Sequence, residues 1–157
     1  MADETNTAPQ AEPRFGVQRI YIKDASFEAP DTPECFRRAY TPKVNFSINS
    51  RSKKIEGDSY EVVLRLTADV KQDEKTVFLV EVQQAGIFEV GGLEGDRLEQ
   101  VLTITCPSIL FPYGREAIDA LAIKGSFPAL MLAPINFEAV YAQAKRNQAQ
   151  QGQVPAS

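Results

Sequence analysis

The chain has 157 residues with 17 basic and 21 acidic side chains, a formal net charge of −4 and no histidine. That length holds one domain with a real core, and the acidic balance argues against nucleic acid as a partner, since phosphate neutralisation needs a basic stripe. Without histidine the commonest general base and the Ser-His and Cys-His pairs are gone, and no apolar run approaches the length of a membrane span.

Residues 1–13 carry three acids before the first base and no apolar stretch, so they read as neither a secretory signal nor a transit peptide. A cytoplasmic chain is expected. Residues 1–13 and 147–157 are rich in Ala, Gln, Asn, Thr and Pro, too poor in apolar area to offset the entropy of ordering, so both are expected to be disordered tails around a single domain at 14–146.

Within that domain, 16–27, 43–52, 59–72 and 75–90 are rich in β-branched and aromatic residues and bounded by Pro, Gly, Asp and Lys clusters, which predicts four strands. Between the first two lies 29–42, APDTPECFRRAYTP, too long and too proline-rich for a tight turn and read as a crossover loop. In the third strand Tyr60, Val62, Leu64, Leu66 and Val70 share one parity, while Glu61, Arg65, Thr67 and Asp69 share the other. One face is therefore buried and one wet. The link Gln72-Asp73-Glu74-Lys75 is short enough to make strands three and four a hairpin. The fourth strand is apolar on both parities near its middle, and its second cover is expected from another subunit.

After Gly91-Gly92 the period changes, with Leu98, Val101, Leu102 and Thr105 at i, i+3, i+4 and i+7 of a helix. The segment 105–141 is dense in large apolar residues but interrupted by Pro107, Pro112, Pro128 and Pro134, which predicts short helices and an extended piece rather than one continuous helix. One helix is expected over 115–124, stopped by Gly125, and a last one from a cap at Asn136 to Arg146. The class is α+β: a four-stranded antiparallel sheet with a crossover loop after strand one, then helices packed on one face, the last flanking a groove.

Sites for chemistry are sparse. The carboxylate pairs Asp73-Glu74 and Glu94-Asp96 sit in polar linkers, and the glycines at 91, 92 and 95 lack the basic residue and spacing of a nucleotide loop. Cys35 and Cys106 are far apart, with no CxxC spacing and no histidine to complete a metal site, so both are read as reduced thiols and neither a metal nor a cofactor is expected. The aromatics Phe36 and Tyr40 on the crossover loop, with Leu130, Leu132, Phe137 and Tyr141, are candidates to line an open apolar groove; the same residues would alternatively complete the core.

Several stretches in the same order resemble SecB, the bacterial protein-export chaperone family: Ile20-Tyr21, Lys23-Asp24 and the run from Ser26 to Pro30; Glu81 to Gln84 before Gly86-Ile87-Phe88; and Cys106-Pro107 through Ile109 to Tyr113. The resemblance spans roughly residues 15–145. It implies a homotetramer, a dimer of dimers, that binds unfolded secretory preproteins without ATP and passes them to the SecA motor. It places SecA contact at Asp24, Glu28, Leu79 and Glu81, and subunit assembly at Val80, Val82 and Gln84. The crossover loop and last helix correspond to the walls of the client groove. The family's C-terminal tail also helps to bind SecA, but here residues 142–157 carry Lys145 and Arg146 and no acid. The rival readings are a small-molecule-binding or hydrolytic enzyme using the aromatic groove, which lacks a catalytic pair, and a purely structural oligomer.

Overall fold

A computed structural model, describing residues 12–151, forms one antiparallel sheet in the spatial order β1-β4-β3-β2. The strands are β1 (Arg14–Glu28), β2 (Lys43–Glu56), β3 (Ser59–Gln72) and β4 (Lys75–Gly91), so each reaches at least as far as its pattern predicted. Asp73 and Glu74 both take positive φ (53° and 64°), the geometry a two-residue hairpin loop needs to follow the strand twist, and they join β3 to β4 as expected. Because β1 and β2 are the two edges of the sheet, the loop between them crosses its full width, with a 3-10 turn at Glu34–Arg37 on the way.

Helix then follows sheet. α1 (Gly95–Gln100), a π-helical turn (Val101–Thr105) and α2 (Cys106–Lys124) run on without a break. This corrects the expectation that Pro107 and Pro112 divide the segment. The π turn widens the ladder, with Cys106 N–H donating to the Val101 carbonyl, and Pro107 falls in the first turn after that reset, where its missing donor matters least. Pro112 does lie inside α2. An interior proline costs roughly 3 kcal/mol, whereas Leu110, Phe111 and Ile118 are all buried by the same helix at about 1.5–3 kcal/mol each, so burial wins. Pro128 and Pro134 do fall where helix is absent: 127–136 lies in neither helix nor strand. α3 (Phe137–Gln151) starts where Asn136 caps it, the Asn136 Oδ1 accepting from Ala139 N–H at 3.1 Å, but it runs five residues past the expected end at 146. The remainder of both expected tails lies outside the described residues.

The core lies between the sheet and α2. Val62, Leu64, Leu66, Ala68, Val70, Phe78, Val80, Val82 and Phe88 from β3 and β4 meet Cys106, Leu110, Phe111, Ile118 and Ala122. α2 thus covers the face of β4 that carries Phe78, Val80 and Val82, while Leu79 and Glu81 point to the opposite face. Burial also pushes the Cys106 thiol up to about 12, and both cysteines are free thiols, Cys35 half-buried on the crossover loop.

Gly114 lets the helix approach, since a Cβ there would sit 2.7 Å from Leu66 Cδ1 and 3.4 Å from Gln84 Cβ. A flexible leucine end can yield to one methyl but not to a branched side chain. Gly114→Val is expected to lower unfolding free energy by about 1–3 kcal/mol, read as a lower urea midpoint at constant slope, with Gly114→Ala much closer to the parent protein.

Candidate functional site

The sheet has two unlike faces, and each carries one of the expected groups of site residues. On the inner face α2 covers β3 and β4 but not the whole of β2. A cavity of ≈ 290 Å³ remains between β2 and α3, with Ile48 and Leu64 as its floor, Phe137, Val140, Tyr141 and Ala144 as one wall, and Glu99 and Thr103 as the other. α3 is attached mainly at its start, where Phe137 is buried edge-on against Phe111 at 6.2 Å between centroids. One turn later the Tyr141 hydroxyl donates to Glu99 Oε2 at 3.2 Å, and Lys145 Nζ pairs with the same oxygen at 3.0 Å. Lys145, then the tyrosine hydroxyl, hold the Glu99 carboxyl below its ordinary range. These are exposed contacts, so they orient the helix more than they anchor it.

Of the six candidate groove residues, Phe137 and Tyr141 line this cavity and the others do not. Phe36 and Tyr40 instead gather around Phe127, at 5.3 and 6.2 Å between ring centroids, and Phe127 stacks on Phe78 at 4.5 Å and reaches Phe27 at 6.3 Å. Phe127 joins the loop to the core and is absent from the sequence candidates. Two residues before it, a Cβ at Gly125 would meet the Phe27 ring at 2.4 Å, so the chain passes close to that ring as it leaves α2. Phe36 (51% exposed) and Tyr40 (38%) present the outer side of this cluster to solvent. The loop folds back onto the core through Phe127, and the Phe36 and Tyr40 rings stay partly open. Leu130 and Leu132 are half-buried on the segment between α2 and α3, which Asp119 holds by accepting from Leu130 and Met131 N–H at 3.0 and 3.3 Å. Between them Met131, with φ 51°, is 79% exposed.

The outer face carries the second group. A β-bulge between Ile22 and Asp24 shifts the register by one residue, so Asp24 stands opposite Gln83 and Glu28 opposite Leu79, while Phe27 turns inward opposite Val80. Asp24, Glu28, Leu79 and Glu81 consequently share one face, in consecutive rows of the sheet. Glu81 accepts from Thr67 Oγ1 at 3.3 Å and pairs with Arg65 at 2.9 Å. Among the described residues Asp24 and Glu28 have no ion pair. Farther along, Glu61 accepts from both Lys23, at 2.8 Å, and the Tyr21 hydroxyl. Lys23 first and Tyr21 next hold the Glu61 carboxyl below its ordinary range.

Val80, Val82 and Gln84, the residues implied in subunit assembly, need correction. Alternation along β4 turns them to the inner face, where α2 covers them, and even Gln84 is only 3% exposed, its amide donating to the Tyr21 carbonyl at 3.1 Å. They are core residues of a single chain, with no side-chain surface to offer a partner.

A family model described as "Preprotein translocase subunit SecB" matches residues 8–148. The chain is 50% identical over 159 residues to the protein-export protein SecB of Pseudomonas savastanoi pv. phaseolicola, covering 99% of this chain and 98% of that one. It is 54% identical to that of Hahella chejuensis, covering 94% and 93%. Among solved structures, the SecB-like chaperone of Mycobacterium tuberculosis in complex with a ChAD peptide superposes with a TM-score of 0.66 at 16% identity, covering 78% of this chain and 91% of that one, a likeness of fold.

The Tyr21–Glu61 contact has a measurable consequence. Burial first, then the hydrogen bond to Glu61 and its charge, push the Tyr21 phenol from 10.0 up to about 12. The folded chain then keeps this proton where the unfolded chain loses it, so the stabilisation is complete below pH 10 and fades as pH rises toward 12. Glu61→Gln is expected to bring the Tyr21 midpoint part of the way back to 10, leaving the burial contribution, as read from phenolate absorbance against Tyr21→Phe.

Proposed function

The chain belongs to the SecB family, and from that premise we propose that it binds unfolded secretory preproteins in apolar surface beside α3 and the crossover loop and hands them to SecA through the acidic outer face. It is a protein-export chaperone and not an enzyme. The observation that carries the reading is the cavity the chain leaves unfilled between β2 and α3, with Leu64 at its floor and Tyr141 at its lip. Seating one apolar client side chain there is worth about 1.5–3 kcal/mol. Folded proteins keep such side chains hidden, so selection of the unfolded state needs no sequence code. A fold relative seen with a bound peptide supports a peptide segment as the ligand.

Holding without ATP follows from the same energetics. A client side chain in one pocket is held weakly, and several pockets on one assembly add through effective concentration, so a long unfolded chain is retained while each contact stays reversible. A client that folds removes itself by mass action. The homotetramer, a dimer of dimers working in the cytoplasm, supplies that repetition. Since Val80, Val82 and Gln84 are core, assembly must use other surface. β1 is a 15-residue sheet edge with Phe15, Val17 and Ile22 open to solvent, and α2 turns Tyr113 and Ile123 outward. An uncovered edge of that length and character is a liability that pairing with a second copy removes.

SecA contact on the outer face would join Leu79, as an apolar anchor, to Asp24, Glu28 and Glu81, a combination suited to a basic partner surface. Client and motor would then occupy opposite faces of one sheet, so both can be bound at once.

Val140→Ser with Tyr141→Ser removes cavity wall without touching the Phe137 anchor. Retention of an unfolded client, measured as slowed aggregation without nucleotide, is expected to fall several-fold while SecA affinity is unchanged; unaltered retention would take the cavity out of client binding. Glu81→Lys is expected to do the reverse, weakening SecA binding in a salt-dependent way and leaving both client retention and the tetramer intact by light scattering.

A further inference from the structure

The four residues of the acidic face are not equally available. Asp24 and Glu28 stand on the edge strand without an ion pair among the described residues, but Glu81 is engaged at both oxygens. Thr67 stands directly opposite Glu81 in the β3–β4 register, and Arg65 reaches it from the diagonal position, opposite Gln83. The Arg65 side chain is 49% exposed and that of Glu81 only 22%, so the guanidinium is the more open half of the pair. A cationic group arriving at Glu81 finds the carboxylate already held by Arg65.

We propose that Arg65 masks Glu81, so that a basic partner must displace this guanidinium before it can use the carboxylate, which makes Arg65 a specificity-determining residue of the acidic face. The inference rests on the reading of that face as the SecA contact. Displacement is cheap in principle, because an exposed arginine keeps its charge hydrated after it swings away, and an exposed pair is worth little in water. It still has a direction. A partner with a single stray cation gains almost nothing by exchanging one pair for another, whereas a partner that also engages Leu79 and the free carboxylates Asp24 and Glu28 recovers the loss. Arg65 therefore lowers affinity for every basic surface and lowers it most for those that fit badly.

Removing any cation from an acidic face favours a basic partner through the general field, so the test needs a control of equal charge. Arg51 supplies it: it lies on the same face, and its guanidinium donates to Gln83 Oε1 at 3.1 Å rather than to Glu81. Binding of SecA to the full tetrameric chaperone is measured by titration calorimetry across a salt series for Arg65→Gln, Arg51→Gln, Glu81→Gln and the double variant Arg65→Gln/Glu81→Gln, with light scattering to check assembly. Arg65→Gln is expected to tighten binding about two- to five-fold at low salt, clearly more than Arg51→Gln, with a steeper salt dependence; in the Glu81→Gln background that excess should vanish. If Arg65→Gln matches Arg51→Gln, weakens binding, or keeps its excess without Glu81, the masking role is overturned while the acidic contact stands. If Glu81→Gln itself leaves binding unchanged, the acidic contact falls, and the masking role with it.

Discussion

The close seating of α2 on the sheet at Gly114 is the constraint on which the rest of the structure depends. With no side chain at 114, the helix comes near enough for Leu66 and Gln84 to pack directly beneath it. That contact closes the inner face over β3 and β4, buries Val80 and Val82, and sets where the closed region ends. It ends before β2. The uncovered strip is bridged by α3, whose polar sequence gives it one buried residue, Phe137, and a rim of exposed polar contacts around Glu99. A tightly sealed centre and a loosely bridged margin thus come from the same packing decision, and apolar surface is left where a flexible guest can reach it.

A second device acts on the opposite side. The bulge at Lys23 moves the end of β1 by one residue relative to β4, and a one-residue shift exchanges the faces of every side chain beyond it. Phe27 is thereby delivered to the aromatic cluster with Phe78 and Phe127, while Asp24 and Glu28 are delivered to the outer face beside Leu79 and Glu81. One irregularity serves both faces. The acidic patch and the anchoring of the crossover loop are in this sense coupled, since either would be lost if the strand ran straight.

The two faces suit different kinds of recognition. Apolar area is non-directional and indifferent to sequence, which is what a holder of unfolded chains requires. Charge around a single apolar residue is sensitive to salt and to the partner's pattern, which suits one defined protein surface. On the proposed reading, placing them on opposite sides of one sheet keeps each from interfering with the other.

Much of this was legible in the chain itself. Alternation along β3 and β4, the polar Asp73-Glu74 link and the capping Asn136 are local signals, and the strands, hairpin and last helix followed from them because period and turn chemistry act over a few residues. Alternation along β4 also put Leu79 and Glu81 on one parity, the two residues of that strand to which the resemblance to SecB attached a partner contact. What could not be read locally was decided by packing. The prolines at 107 and 112 spoke for broken helix, yet the burial of α2 outweighed their cost. The apolar centre of β4 did not say which of its parities the chain's own helix would cover, and α2 took the parity of Val80, Val82 and Gln84, turning them into core. The six apolar groove candidates shared composition but not a place: only tertiary structure could send Phe137 and Tyr141 to the cavity and Phe36 and Tyr40 to Phe127, because burial is a property of what faces a residue across space, and sequence periodicity reports only which way it points.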